Sequence, residues 1–199
     1  MRRTKAEALE TRQRILCAAE QIFYEKGVAE TTLEDVARAA GVTRGAIYWH
    51  FANKTELLLA LHDLVPLPQE DMTEEALTLD HVKQRCLEWL RVISTDERRQ
   101  RIYAILLRCE YSDEMAGILQ RQQALDEEAR EMLCRAFANA QQRGHLAPGW
   151  SPDVASRCFM WMVKGLYFDW LRYGMKFDLV AEGEKCLAQL FGGFGACRT

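Results

Sequence analysis

The 199-residue sequence lacks the features that mark secreted and membrane-spanning proteins. Its longest apolar stretch, from Cys158 to Leu171, is interrupted by Lys164 and Asp169, so it is too short and too charged to span a bilayer. The N-terminus, MRRTKAEALE, has no apolar stretch of the kind found in signal peptides. We therefore expect a cytoplasmic protein that does not bind a membrane.

Patterns typical of metal centres and of catalysis are also missing. The seven cysteines are odd in number and widely spaced, and no two of them form a CxxC pair. The four histidines show no metal-ligand spacing with one another or with a cysteine. No GxSxG, HExxH or P-loop motif occurs. The sequence predicts reduced thiols that pack as small apolar residues, no metal, no cofactor and no enzymatic activity.

No segment alternates apolar and polar residues between turn signals, so we predict no strands. Instead, apolar residues recur every three or four positions along most of the chain, which is typical of amphipathic helices. The pattern predicts an all-α protein of about nine helices. Two prolines and a cluster of acids at residues 65–80 indicate a connection between two functional halves, and a long helix is predicted to begin at Ser112.

Capping residues mark short helices in the first third of the chain. Thr31 with Glu34 predicts a capping box that opens a second helix, which Gly41 ends. Thr43 is predicted to cap a third helix and Asn53 a fourth. Because the second and third helices have only about two turns each and are joined by a glycine-containing turn, they match the helix-turn-helix arrangement.

Residues 41–51, GVTRGAIYWHF, place four rings side by side on the third helix. Ile47 and Phe51 are four residues apart, so they share one face, which we predict to lie in the core. A helix this short cannot bury the other rings as well. The exposed face is therefore predicted to comprise Thr43, Arg44, Gly45, Tyr48, Trp49 and His50.

The chemistry of this exposed face suits DNA. Gly45 and Ala46 allow the backbone to approach a surface closely, and Arg44 can bind a guanine through two hydrogen bonds. The tyrosine, histidine and threonine of the face can donate to phosphates, and Lys54 is a further phosphate contact. No acid occurs from Val36 to Thr55. The alternative is an ordinary helical hairpin whose aromatic surface contacts another protein.

The stretch TRQRILCAAEQIFYEKGVAETTLEDVARAAGVTRGAIYWHFANKTELLLAL resembles the DNA-binding domain of TetR-family transcriptional regulators, over roughly residues 4–62. Within that family it is similar to multidrug efflux pump repressors of the AcrR/TtgR/NalD type. The resemblance implies that residues 1–53 form a three-helix helix-turn-helix domain and residues 54–199 a helical ligand-binding and dimerisation domain. It also implies that the residues contacting DNA are Thr32, Thr43, Arg44, Gly45, Ala46, Tyr48, Trp49, His50 and Lys54.

Bulky and pliable residues recur on inward faces of the C-terminal helices, as expected for a pocket that binds a small hydrophobic effector such as an antibiotic. The ligand-binding candidates are Cys86, Trp89, Ile93, Tyr103, Leu106, Leu133, Phe137, Phe159, Met160, Val163 and Lys164. Each apolar candidate could instead belong to the core. Lys164, proposed to bind an anionic or carbonyl group, could instead pair with an acid or extend its amine into water.

The eighth helix is apolar on nearly all sides, which predicts that it is buried against several neighbours. The ninth helix carries an apolar stripe that ends at Phe194. With the resemblance, these patterns predict a homodimer face made of Trp161, Gly165, Phe168, Gly183, Leu187, Leu190, Phe191 and Phe194. The alternative is the core of a monomer.

These observations predict a ligand-responsive transcriptional repressor that binds a palindromic DNA operator as a homodimer. It would control a multidrug efflux pump operon and be released by small hydrophobic compounds. Two alternatives within the family are a regulator of another pathway, which senses an acyl-CoA or a signalling molecule, and an activator. An alternative of another class is a helical small-molecule carrier or enzyme with a vestigial hairpin.

Overall fold

A computed structural model describes residues 5–65, 78–109 and 116–195 of the chain. Over these ranges the secondary structure is helical, apart from turns and one isolated β-bridge between Leu146 and Gly195. The prediction of an all-α fold is confirmed. None of the helices in the same ranges is both long and apolar enough to cross a membrane.

Nine helices follow one another in the described residues. They are α1 (Lys5–Lys26), α2 (Leu33–Ala39), α3 (Arg44–His50), α4 (Lys54–His62), α5 (Leu79–Thr95), α6 (Glu97–Arg108), α7 (Ala116–Gln142), α8 (Pro152–Arg172) and α9 (Leu179–Phe194). Most of the predicted connection, residues 66–77, and the predicted helix start at Ser112 lie outside the described residues.

The capping box of α2 lies one residue later than predicted. The Thr32 hydroxyl accepts a hydrogen bond from the backbone N–H of Asp35 at 3.1 Å, and the Asp35 carboxylate accepts one from the backbone N–H of Thr32 at 3.1 Å. Thr31 is buried, and its hydroxyl donates to the carbonyl oxygen of Gly27 at 2.7 Å. The predicted pairing of Thr31 with Glu34 is therefore wrong, and Glu34 lies outside the cap.

The caps of α3 and α4 are confirmed. The Thr43 hydroxyl accepts a hydrogen bond from the backbone N–H of Ala46 at 3.2 Å. The Asn53 side chain accepts one from the backbone N–H of Glu56 at 2.8 Å, and the Glu56 carboxylate accepts one from the backbone N–H of Ala52 at 2.7 Å. These bonds satisfy first-turn donors that have no partner within a helix. They fix where both short helices begin.

Spatial proximity divides the chain into two compact units. The first comprises Met1–Pro66 and Arg98–Arg121, and the second comprises Leu67–Glu97 and Gln122–Thr199. Proximity does not assign a function to either unit. The predicted functional boundary between residues 53 and 54 therefore stays a prediction.

In the first unit, α1 packs on α2 and α4, and α2 packs on α3. The largest fully buried side chains of these helices are Ile15, Leu16, Phe23, Ile47, Leu57, Leu58 and Leu61. Glu20 of α1 is buried and accepts from the Nε atoms of Arg98 and Arg101, each at 2.8 Å. Because a buried charge requires partners, these two arginines fix α6 against α1.

In the second unit, α9 packs on α5 and α8. The approach of α9 to α5 requires a glycine, because a Cβ added at Gly183 would lie 2.5 Å from Cδ1 of Leu90. At the other end of α9, Phe194 makes edge-to-face contacts with Phe137 and Trp150 at centroid distances of 4.9 Å and 4.8 Å. The apolar stripe of α9 is thus used within the chain.

Candidate DNA interface and effector site

The ring run of α3 divides between core and surface largely as the face count predicts. Ile47 and Phe51 are buried, whereas the side chains of Tyr48 and Trp49 are exposed, with relative accessibilities of 43% and 73%. His50 is half-buried, and its ring lies 4.5 Å from the Trp49 ring in an edge-to-face contact. The predicted placement is confirmed for four residues, and His50 is less exposed than expected.

Arg44 and Tyr48 are joined by a carboxylate that belongs to α2. Oε1 of Glu34 accepts a hydrogen bond from the Tyr48 hydroxyl at 3.1 Å and lies 3.1 Å from Nε of Arg44. The guanidinium carbon of Arg44 lies 5.6 Å from the centroid of the Tyr48 ring. Sequence reasoning missed this role because it assigned Glu34 to the capping box.

The smaller residues of the predicted DNA-binding set lie at the start of the short helices. Thr32 and Thr43 are exposed, and their hydroxyls cap α2 and α3. Gly45 is exposed, and a Cβ added there would have no heavy atom within 4 Å. Packing against the described part of the chain therefore does not explain the glycine.

Lys54 of α4 and Arg14 of α1 bind backbone carbonyls close to α2 and α3. The Lys54 amine donates to the carbonyl oxygen of Val28 at 3.2 Å. Nη2 of Arg14 donates to the carbonyl oxygens of Ala40 and Gly41, at 2.6 Å and 3.0 Å, where α2 ends. The Arg14 bonds hold the C-terminal end of α2, the helix on which α3 packs, and the Lys54 bond ties α4 to the loop that precedes α2.

Arg12 of α1 contacts the residue that ends α3. Its guanidinium carbon lies 5.1 Å from the ring centroid of Phe51, the residue that ends α3. A cation over an aromatic ring is attracted by the electron-rich face of the ring. Helical periodicity carries no signal for such a contact, because it depends on how α1 packs against α3.

The predicted effector-binding residues are distributed over both units. Tyr103 and Leu106 are buried in the first unit. In the second unit, the buried candidates are Cys86, Trp89, Ile93, Leu133, Phe137 and Phe159. The half-buried candidates are Met160, Val163 and Lys164. Their role in binding an effector stays a prediction.

Several of these side chains pack against aromatic neighbours or are held neutral by burial. The Trp89 and Tyr167 rings meet edge to face at 5.0 Å, and Phe137 meets Phe194 at 4.9 Å. Burial raises the pKa of the Cys86 thiol to about 12, so this cysteine stays protonated at neutral pH. In the parts of the chain that the structure describes, no group of His, Cys, Asp and Glu side chains is arranged to hold a metal ion.

Lys164 is half-buried, and its amine is paired with a carboxylate. Nζ donates to Oδ2 of Asp126 at 2.5 Å, and the two side chains are about one third and one half exposed. Of the alternatives that the sequence left open, pairing with an acid is thus the one that the structure shows. An effector that used the Lys164 amine would compete with Asp126 for it.

The predicted dimer face divides between surface and core. Leu187 and Phe194 are fully buried, and Gly183 is buried against Leu90. These three residues have no surface to offer a partner because they pack inside their own chain, so this part of the prediction is corrected. The other five residues of the predicted face are exposed or half-buried, and they are Trp161, Gly165, Phe168, Leu190 and Phe191.

An all-α chain in which two short helices present arginine and exposed aromatic rings from the second helix has the form of a helix-turn-helix transcription regulator. Residues 15–61 match the family described as bacterial regulatory proteins, tetR family. Residues 78–194 match the C-terminal region of MAATS-type transcriptional repressors. The chain belongs to the tetR family of bacterial transcriptional regulators.

Individual relatives are similar over almost the whole chain. BepR of Brucella suis biovar 1 (strain 1330), an HTH-type transcriptional repressor, is 38% identical over 195 residues, which cover 94% of this chain and 93% of BepR. The crystal structure of NalD, the secondary repressor of the MexAB-OprM multidrug efflux pump in Pseudomonas aeruginosa, has 40% identity and a TM-score of 0.89 and covers 96% of this chain and 98% of NalD.

A third relative has been solved with a small molecule. The complex of SmeT with triclosan has 32% identity and a TM-score of 0.83, and it covers 95% of this chain and 93% of SmeT. SmeT is the repressor of the Stenotrophomonas maltophilia multidrug efflux pump SmeDEF.

Proposed function

We propose that this chain is a ligand-responsive repressor that binds a palindromic operator as a homodimer and controls a multidrug efflux pump operon. The observation that carries the proposal is the exposed face of α3, where Arg44, Tyr48 and Trp49 point away from the core formed by Ile47 and Phe51. NalD and SmeT, which repress efflux pumps, support the choice of target genes.

Each side chain of the DNA-binding set takes a role that suits its chemistry. Arg44, at the first turn of α3, reads a guanine from the major groove, where the two acceptors O6 and N7 fit a guanidinium. Thr43 is a further base or groove contact, and the phosphates are bound by Thr32, Tyr48, Trp49, His50 and Lys54. Gly45 and Ala46 line the groove, because neither has a side chain large enough to hold the backbone away from it.

Dimerisation places two copies of α3 on one face of the DNA. Two recognition helices that bind successive major grooves are one DNA turn apart, about 34–36 Å, which sets the spacing of the two half-sites. The two-fold symmetry of the dimer makes such operators near-palindromic. Trp161 is the strongest candidate for the dimer contact, since it is 66% exposed on α8. Gly165, one helical turn later and also exposed, would allow close approach of a partner helix.

A small hydrophobic effector would act on this dimer in the cytoplasm. The ligand changes DNA affinity only through its different affinities for the DNA-competent state and the released state. Reversing a 99:1 preference requires about 5.5 kcal/mol of such discrimination. The SmeT–triclosan complex makes triclosan a suitable first probe.

The test is to select binding sites from a randomised duplex library with the full-length protein. We expect one inverted-repeat sequence to be enriched, and triclosan to weaken binding of the enriched duplex in a fluorescence anisotropy titration. Enrichment of no sequence would contradict a role as a DNA-binding repressor. Enrichment without an inverted repeat would contradict the dimer geometry.

A further inference from the structure

One arginine of α1 binds the turn that connects the two helices of the helix-turn-helix. Nη2 of Arg14 donates to the carbonyl oxygens of Ala40 and Gly41, at 2.6 Å and 3.0 Å. Ala40 ends α2, and Gly41 has a positive φ of 63°, as is typical of the residue that follows a helix end. Carbonyls at such an end lack partners within the helix, and a cation there suits the negative end of the helix dipole. Arg14 therefore joins α1 to the turn.

The close approach of this side chain depends on the glycine. A Cβ added at Gly41 would lie 3.2 Å from Nη2 of Arg14, which is tighter than an ordinary contact. The glycine thus allows both the left-handed turn and the contact with α1. Arg44, the first residue of α3, follows three residues later. Because so few residues separate the two, the position of the turn determines where α3 begins.

A second arginine of α1 contacts the other end of the same segment. The guanidinium carbon of Arg12 lies 5.1 Å from the ring centroid of Phe51, which caps the C-terminus of α3. The two arginines of α1 therefore contact the chain just before α3 and just after it. A helix of only two turns depends on tertiary contacts of this kind for its order.

We propose that Arg14 is a positioning residue, which holds α3 in the orientation that DNA binding requires and does not itself contact DNA. The inference rests on the proposed function, since it requires α3 to be the element that binds DNA. Binding fixes α3 in one orientation, so any orientational freedom of α3 in the free protein is lost and lowers the affinity. The bonds from Arg14 remove part of this freedom beforehand, and they are kept when DNA binds.

Two other roles would also make Arg14 matter, and each predicts a different measurement. A phosphate contact releases a counterion, so its loss would reduce the slope of log K against log salt by about 1. A contribution to stability alone would lower the melting temperature and leave the affinity of the folded protein unchanged. Loss of a positioning residue lowers the affinity, keeps the salt slope and loosens α3 locally.

The experiment compares the full-length wild type with Arg14→Gln and with the matched control Arg38→Gln. Arg38 lies in the last turn of α2, is 80% exposed and pairs with Asp35 at 3.4 Å. Its substitution removes the same charge near the same turn but leaves the bonds from Arg14 in place. Affinity for the enriched duplex is measured by fluorescence anisotropy over a series of salt concentrations, at a temperature at which circular dichroism shows every protein to be folded. A scrambled duplex of the same base composition gives the non-specific background.

We expect Arg14→Gln to bind the enriched duplex about 3–10-fold more weakly than Arg38→Gln does, because α3 has more freedom to lose. The salt slope of Arg14→Gln should stay within about 0.5 of the wild-type slope. An affinity no weaker than that of the control would overturn the proposal. A slope reduced by about 1 would overturn it too, because Arg14 would then bind a phosphate.

Hydrogen exchange in the free protein tests the local effect. The backbone amides of α3 should exchange about 3–10-fold faster in Arg14→Gln than in wild type, whereas those of the buried centre of α1, near Ile15 and Ala19, should keep the wild-type rate. Unchanged exchange in α3 would overturn the proposal, and so would an equal increase in α1, which would indicate a general loss of stability. If the proposed function itself fails, the wild-type protein enriches no sequence, whereas failure of this inference leaves the enrichment intact.

Discussion

Trp49 and Tyr48 expose apolar rings whose burial would stabilise the folded chain. Full burial of a large apolar side chain contributes about 1.5–3 kcal/mol relative to its exposure. Trp49 is nevertheless 73% exposed, although Ile47 and Phe51, two residues before and after it, are buried. At the scale of single residues, this exposure is what we expect of the proposed DNA-binding surface.

Trp49→Ala is expected to separate DNA binding from folding. It should change the free energy of unfolding by less than about 0.5 kcal/mol, because most of the ring is exposed to solvent. Binding to operator and scrambled duplexes should weaken alike, since a phosphate contact carries no sequence information. The contrasting variant Phe51→Ala, which removes a fully buried ring, should lower the free energy of unfolding by about 3–5 kcal/mol.

Thermal denaturation and fluorescence anisotropy measure the two effects of Trp49→Ala separately. Loss of stability in this variant would place the ring in the core. Unchanged affinity for both duplexes would remove Trp49 from the interface.

His62 is expected to make stability depend on pH. Burial lowers the pKa of His62 below 6.5, Arg121 lowers it further, and Asp63 opposes the shift. Between the lowered pKa and 6.5, the unfolded chain binds a proton that the folded chain does not. Stability should therefore be complete above about pH 6.5 and decrease as the pH falls toward the lowered pKa.

Urea denaturation of wild type and His62→Gln at about pH 7 and about pH 5.5 measures this contribution. The wild-type protein should lose more stability than the variant over this interval. An equal loss in both proteins would show that other groups cause the pH dependence.

At the scale of helices, some of the helix starts could be predicted from local sequence and one could not. The caps at Thr43 and Asn53 are predictable, because a cap involves residues only three positions apart. The box at Thr32 was misplaced because Thr31, which looks equally suitable, is buried and bonded to Gly27. Local sequence does not show which of two adjacent threonines faces the core.

Two alanine substitutions in α9 should change stability in opposite directions. A Cβ at Gly183 would lie 2.5 Å from Cδ1 of Leu90, which is fully buried, whereas a Cβ at Gly192 would meet nothing within 4 Å. Gly183→Ala should therefore overpack the contact and lower the free energy of unfolding by about 1–3 kcal/mol. Gly192→Ala should raise it by about 0.5–1 kcal/mol, because alanine favours a helix.

Urea denaturation of the two glycine variants checks the packing of α9 on α5. A Gly183→Ala protein as stable as Gly192→Ala would mean that the two helices do not approach each other so closely.

At the scale of the whole molecule, the helical class was predictable and the partners of each apolar face were not. Helical periodicity is local, so it reveals which residues of α9 are buried. It cannot show that Gly183 and Phe194 face α5 and α7 of the same chain, because burial against a second subunit leaves the same pattern. For this reason part of the predicted dimer face proved to be core.

The candidate DNA interface could also be predicted only in part. Counting faces on one short helix correctly placed Ile47 inside and Trp49 outside. The contacts from Glu34, Arg12 and Arg14 were missed, because they depend on how separate helices pack. The exposed residues proposed to donate to DNA were therefore easier to predict than the contacts that position them.

The most direct test of the central claim, that the exposed face of α3 reads DNA sequence, is to measure the affinity of Arg44→Ala for the enriched duplex. We expect this variant to lose about 1–3 kcal/mol of binding free energy and to relax the base preference at one position of each half-site. Arg172→Ala, which removes an exposed arginine at the end of α8, should keep wild-type affinity and preference. Unchanged affinity of Arg44→Ala, or an equal loss in both variants, would contradict the account.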